Sequence, residues 1–216
     1  MVKRKKVHDL GKARAPGPSL RDHLLADGSG VAPPLLEESY VFLGDEDIPY
    51  DWYTSNERLE QEFQFLWPKV WQWACREEHI PEPGDYYVYD IGQLSAVIVR
   101  ADDGSIKAYY NACMHRGTQL KPPATCGTTQ GLRCPFHGWT WSLEGELIDL
   151  PQEWDFPHVD AESHKLPELK VGLWGGFVFV NFDQDAEPLE QYLGILSEHF
   201  SHWDLENRYI ETHVCK

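Results

Sequence analysis

No run in this 216-residue sequence approaches the roughly 20 consecutive apolar residues needed to cross a bilayer, so a membrane-spanning role is not expected. Lys3 to Lys6 could pass for the charged start of a secretory leader, but His8 to Ser19 are polar and interrupted by Gly and Pro, and no apolar leader core follows. The expected compartment is the cytoplasm. Positive charge is scarce: 19 Lys and Arg stand against 35 Asp and Glu, a formal net charge of -16. Such a surface repels a phosphate backbone, which sets nucleic acid aside as a partner and favours a basic one. Cysteine is sparse too, five in all, an odd number without the even spacing of a disulfide scaffold. No internal repeat is present.

What the sequence does hold is a 42% hydrophobic content with nine Trp, enough for a substantial core. Residues 1–38 combine a basic start with Pro16, Gly17, Pro18, Gly28, Gly30, Pro33 and Pro34, and are expected to form a flexible arm. Residues 39–82 read as a helical lead-in. There Thr54 and Glu57 suggest a capping box, Leu59, Phe63, Leu66 and Trp67 recur at helical spacing, and Pro68 ends the run. Residues 83–186 read as β-rich. Strands are expected at Tyr86 to Tyr89, Ser95 to Arg100 and Ile106 to Tyr110, with Asp102-Asp103-Gly104 turning the last two into a hairpin. Further strands are expected at Gly138 to Leu143 and Gly176 to Phe182. Residues 187–216 open with Pro188 at a helix start, and Leu189, Tyr192, Leu193, Leu196, Phe200 and Trp203 predict one helix. The fold class is thus mainly β, an antiparallel β core with flanking helices.

Two short segments carry the chemistry. Cys113-Met114-His115-Arg116-Gly117 is followed by Cys134-Pro135-Phe136-His137-Gly138-Trp139, so each supplies one thiolate and one imidazole. A C-x-H and a C-x-x-H pair on separate loops of a β-rich region match the ligation of a Rieske [2Fe–2S] cluster, in which two His replace two Cys on one iron. Zinc is the competing occupant, but its usual order is a Cys pair followed by a His pair on a helix. Charge explains the use of His. Two ferric ions and two sulfides carry a net charge of plus two; two thiolates bring it to zero and four bring it to minus two, so an electron enters the His-ligated cluster more easily. Elsewhere, Cys126 reads as a free thiol and Cys75, beside Trp71 and Trp73, as a core residue. His79, His158, His164 and His213 default to the surface, and the aromatic group Trp139, Trp141 and Trp154 either shields the cluster or belongs to the core.

With those residues placed, the sequence resembles the N-terminal Rieske half of a Rieske non-haem iron oxygenase, the large (α) subunit of ring-hydroxylating oxygenases. The resemblance runs from about Tyr53 to Tyr209. It rests on Pro83-Gly84-Asp85-Tyr86, the run from Asn111 to Gly117, the run from Cys134 to Trp139, the strand from Trp174 to Asn181, and Leu189 to Gly194. Arg116-Gly117 and Gly138-Trp139 are typical of the oxygenases; the interval between the loops is slightly longer than usual and suggests a looser tip near Pro122 to Gly131.

The resemblance implies a Rieske-type β-sandwich whose cluster sits at one tip between two loops, held by Cys113, His115, Cys134 and His137. It implies electron delivery by a ferredoxin or flavin reductase and passage to a mononuclear Fe(II) in a catalytic domain, often that of a neighbouring subunit in a trimer. That domain is expected to lie beyond Ile210 to Lys216, so the chain alone is not expected to hydroxylate. Glu198, His199, His202 and Asp204 lack the spacing of the catalytic iron's ligands and read as a helix edge. The ligand loops also lack the extra cysteine pair and the serine of high-potential respiratory Rieske proteins, which predicts a potential near about −150 mV. A self-contained Rieske ferredoxin is the alternative, and the flanking helices and the Arg-Gly and Gly-Trp pairs count against it.

Overall fold

The computed structural model describes residues 17–28, 30–36 and 47–212. These fall into two compact units, one drawn from Met1–Ser55 with Leu193–Asp204 and the other from Asn56–Tyr192 with Leu205–Lys216. The larger unit is built around one strand. Leu94–Arg100 (β3) reads Leu-Ser-Ala-Val-Ile-Val-Arg, and Ala96, Val97, Ile98 and Val99 are all fully buried. A strand whose successive side chains point to opposite faces can bury them all only as the middle of three layers.

The middle layer is an antiparallel sheet in the order Ile106–Tyr110 (β4), β3, Asp85–Ile91 (β2), Cys126–Thr128 (β5). The hairpin expected at Asp102-Asp103-Gly104 is present, with the Gly104 amide donating to Ala101 O at 2.9 Å. On one face lies a sheet of Gln72–Arg76 (β1), Phe177–Asn181 (β10) and Lys170–Trp174 (β9). Cys75, Val178, Val180 and Leu169 from that side meet Ala96, Ile98 and Ala108. On the other face lies a small sheet of Leu132–Arg133 (β6), Thr140–Trp141 (β7) and Leu147–Asp149 (β8). There Leu132, Trp139, Trp141 and Leu166 meet Val97, Val99 and Tyr109. This is the mainly antiparallel β-sandwich that the sequence predicts.

Several elements differ from expectation. The strand expected over Gly138 to Leu143 shrinks to Thr140–Trp141, because Ser142 and Gly145 already close a turn, Gly145 N donating to Ser142 O at 3.1 Å. The tip near Pro122 to Gly131 is not loose: β5 pairs with β2, Tyr87 opposite Cys126 and Asp85 opposite Thr128. Strands β1 and β9 were not expected; their few apolar residues are completed by partners distant in sequence.

The lead-in helix is Asn56–Phe65 (α3), and Thr54 does not cap it. Thr54 instead ends Asp51–Thr54 (α2), its hydroxyl donating to Tyr50 O at 3.5 Å. Phe63 of α3 fills the space over the β2–β3 turn, where a Cβ on Gly92 (φ +54°) would stand 1.9 Å from the ring. Only glycine fits both that backbone and that approach. The single helix expected after Pro188 is interrupted: Leu189–Leu193 (α4) and Ile195–His199 (α5) are parted by Gly194 at φ 51°, ψ -122°.

Of the arm expected over residues 1–38, positions 17–28 and 30–36 are described. They include Leu20–Asp27 (α1), capped by Ser19 and Asp22 in a capping box. Residues 1–16 of that expected arm lie outside the described residues, as do His213 and Cys215.

Candidate metal centre

Two loops in the larger unit share one backbone frame. In the first, Cys113 N donates to Thr118 O (2.8 Å) and Cys113 O accepts from Gly117 N (2.8 Å). In the second, Cys134 N donates to Trp139 O (2.8 Å) and Cys134 O accepts from Gly138 N (3.1 Å). Each therefore closes a five-residue loop with a glycine in fifth place, at φ +72° for Gly117 and +79° for Gly138. An L side chain rarely adopts that conformation, which accounts for the glycine in Arg116-Gly117 and in His137-Gly138. The frame is common to both loops, but the histidine occupies third place in one and fourth in the other.

The loops bring the four sequence-predicted residues together as two pairs, Cys113 with Cys134 and His115 with His137. Cys113 and Cys134 are 4% and 2% exposed, adjacent free thiols on the inner side, whereas His137 is exposed and His115 partly so. His115 Nδ1 and His137 Nδ1 face each other at 3.1 Å, their ring centroids 4.9 Å apart. Two nitrogens on one tetrahedral ion with bonds of about 2.1 Å would lie roughly 3.4 Å apart, so this nitrogen pair needs almost no adjustment to share a metal. Among the described residues no three His, Cys, Asp or Glu side chains converge on one point. The four side chains stand as a buried sulfur pair and a more exposed nitrogen pair, not as a single tetrahedral set.

Electrostatics suit the same set. The His115 pKa is lowered, chiefly by desolvation and then by Arg116 and His137, which favours the neutral, ligating imidazole. The Cys113 thiol is raised by burial, and the His115 and Arg116 amides act against that rise; His115 N lies 3.4 Å from its sulfur. A bound metal ion would supply the remaining stabilisation that a buried Cys113 thiolate needs.

Aromatic rings wall the outer pair. Trp139 stacks on His115 at 4.9 Å and 6°, Phe156 meets both edge-on (5.5 and 5.2 Å), and Phe136 lies 3.9 Å from His137. The Trp139 indole N–H is buried without a hydrogen-bond partner, an uncompensated polar group beside the donor set. Trp154, grouped with Trp139 and Trp141 in the sequence reading, is 77% exposed and does not join them. Phe156 takes that place; it stands in a loop without periodicity and gave no signal. His164 is half-buried and meets Trp139 edge-on at 6.2 Å, so it is not the bland surface histidine expected. In the smaller unit, His199 and His202 rings stand 6.5 Å apart and form no group of three donors with Glu198 or Asp204.

Three stacked β layers with two cysteine- and histidine-bearing loops at one end define a Rieske-type protein, and the family model for the Rieske [2Fe-2S] domain matches residues 70–161. The chain is 33% identical over 172 residues to the large oxygenase component of salicylate 5-hydroxylase from Ralstonia sp., 73% of this chain and 40% of that protein. Its structure is similar to a naphthalene 1,2-dioxygenase F352V mutant bound to phenanthrene (TM-score 0.63, 32% identity, 68% of this chain and 33% of that one). It is also similar to a quaternary ammonium Rieske monooxygenase (TM-score 0.66, 29% identity, 72% and 45%). The chain carries a Rieske [2Fe-2S] domain and is similar to the Rieske-bearing part of large oxygenase subunits. It spans less than half the length of each of these relatives. The salicylate relative is a large oxygenase component and the other two are oxygenases, so the matches favour that reading over a self-contained ferredoxin. No helix among the described residues is long and apolar enough to cross a membrane.

Proposed function

We propose that Cys113 and Cys134 hold one iron of a [2Fe–2S] cluster and His115 and His137 the other, and that the chain relays single electrons within an oxygenase. The observation that carries this reading is the pair of matched loops, one presenting Cys113 and His115 and the other Cys134 and His137, with both sulfurs buried and the two imidazole nitrogens facing each other. When bound, such a cluster supplies reversible one-electron storage at a potential above that of an all-cysteine centre. The chain's own residues do the rest. The loop frames fix the four donors, and Trp139 and Phe156 pack against the His115 imidazole and cover that side of it. Exposed His137 gives the electron its shortest exit toward a partner.

The same reading supplies the partners. A ferredoxin or flavin reductase delivers electrons, and a mononuclear Fe(II) with a histidine and carboxylate ligand set, in a catalytic domain or a neighbouring α subunit of a trimer, receives them. Inter-subunit electron transfer is described for the quaternary ammonium monooxygenase. A soluble cytoplasmic enzyme is part of this reading.

Anaerobic reconstitution with iron and sulfide tests it. A visible spectrum and a reduced-state EPR signal at about two irons per chain are expected for the cluster, with a midpoint potential above the all-cysteine range for mixed His and Cys ligation. A colourless chain that binds one zinc and no sulfide would overturn it.

A further inference from the structure

The two ligand loops stand on unequal foundations. The second is the tip of a strand pair: Leu132 opposite Trp141 and Arg133 opposite Thr140 lead directly into Cys134–Trp139, so a ladder fixes both of its ends. The first has a strand only on its entry side. Strand β4 ends at Tyr110, and residues 118–125 on the exit side belong to no strand. Below the Cys113–Thr118 bond that it shares in kind with the second loop, no backbone ladder continues to hold the base of the first loop.

A side chain does so instead. Asn111, 2% exposed, donates from Nδ2 to Lys121 O at 2.8 Å and to Ser95 Oγ at 3.0 Å. Its Oδ1 accepts from Lys121 N at 2.9 Å and from Leu120 N at 3.0 Å. Both donor hydrogens and both acceptor positions are in use, so the amide is saturated. The exchange with Lys121, one bond in each direction, is the bond pair that two opposed residues of an antiparallel ladder make. Asn111 thus supplies the missing rung, while its own backbone N–H donates to Ser95 O at 3.0 Å and ties that rung to β3.

We propose that Asn111 is a positioning residue for the metal centre. By closing the base of the first loop it sets where Cys113 and His115 stand relative to Cys134 and His137, including the 3.1 Å between the imidazole nitrogens. This inference rests on the cluster reading above and extends it to a residue that touches no ligand atom. Alanine offers no amide, and glutamine carries the same amide one methylene too far out; neither can make the reciprocal pair in a buried site without displacing the loop.

The test compares two buried substitutions in the reconstituted chain, Asn111→Ala at the base of the first loop and Val178→Ala in the apolar cluster that does not contain the ligand cysteines. Thermal melting, iron release to a chelator well below the melting temperature, and the EPR g values of the reduced sample are recorded for each. Asn111→Ala is expected to release iron about 10- to 100-fold faster than the wild type, the scale seen when a supporting partner of a metal ligand is removed, and to shift the g values. Val178→Ala is expected to melt earlier with wild-type g values and release rate. Wild-type release and g values in Asn111→Ala overturn the inference, as does equal acceleration in Val178→Ala, which would make the effect one of general stability. If Asn111→Ala does not fold, Asn111→Asp takes its place: it keeps the acceptor oxygen and loses both donors, and an unchanged release rate there also overturns the inference. A wild-type chain that takes up no cluster removes the electron-transfer reading and this inference together, whereas a loaded wild type with an unaffected Asn111→Ala removes this inference alone.

Discussion

The two faces of the middle sheet each bury cysteine, and they do different things with it. On the β1–β9–β10 side, Cys75 lies among Ile80, Ala96, Ile98 and Val178, and burial pushes its thiol up to about 12. Such a thiol stays protonated and serves as a small apolar side chain. On the side of the small sheet, Cys113 and Cys134 are as deeply buried, yet each starts a tight loop, they stand beside each other, and backbone amides approach the Cys113 sulfur. Burial alone makes an inert thiol. A ligand also needs a second donor within reach and a loop that keeps both in place.

The largest effect expected from breaking this contrast is loss of the cluster. Cys134→Ser is expected to abolish the visible absorption, whereas Cys75→Ser leaves iron and sulfide content unchanged; metal analysis of both variants decides. Neighbours on β3 sharpen the contrast next. Ile98→Ala should cost about 2–5 kcal/mol in denaturant unfolding without altering the EPR signal, because its cavity opens on the far face. Val99→Ala, one residue along, should cost about 2 kcal/mol and broaden the g values, since Val99 packs in the same cluster as Cys113 and Cys134.

A smaller effect is expected from His115→Cys. A third thiolate adds negative charge and should lower the midpoint potential, by roughly 200 mV toward the all-cysteine range; an unchanged potential would remove His115 from the ligand set.

The smallest effect concerns acid. Asp85 accepts hydrogen bonds from the Thr128 hydroxyl (2.6 Å) and from Glu82 N (3.0 Å), which lower its pKa below 3.8 and link β2 to β5. Because the folded value is the depressed one, this contribution is complete above pH 3.8 and fades as pH falls through the folded value. Asp85→Asn should therefore lower stability slightly at neutral pH and flatten its fall through the acid window, the two proteins converging once Asp85 is protonated, as denaturant unfolding across that pH range would show.

The ligand loops were legible because iron–sulfur ligation demands particular side chains at fixed short spacing, and Cys113, His115, Cys134 and His137 carry that spacing on their face. The hairpin of β3 and β4 was legible for a similar reason, its turn residues lying beside its strands. Strands β1 and β9 were not, since Gln72–Arg76 becomes a strand only by pairing with Phe177–Asn181, about a hundred residues away. The helix expected over Leu189 to Trp203 showed the right period, and one glycine conformation at position 194 divided it. Phe156 and Asn111 escaped notice as functional residues because their roles depend on what they meet, not on their neighbours in sequence.

The sequence by itself determined the candidate donor set, the loop glycines and the apolar run that fills both faces of β3, because each is a local property of residue type and spacing. Only the tertiary structure decided which cysteines share a pocket, which face of the sheet stays inert and which side chain closes the first loop. Those outcomes depend on contacts between distant segments, and such contacts exist only once the layers have packed.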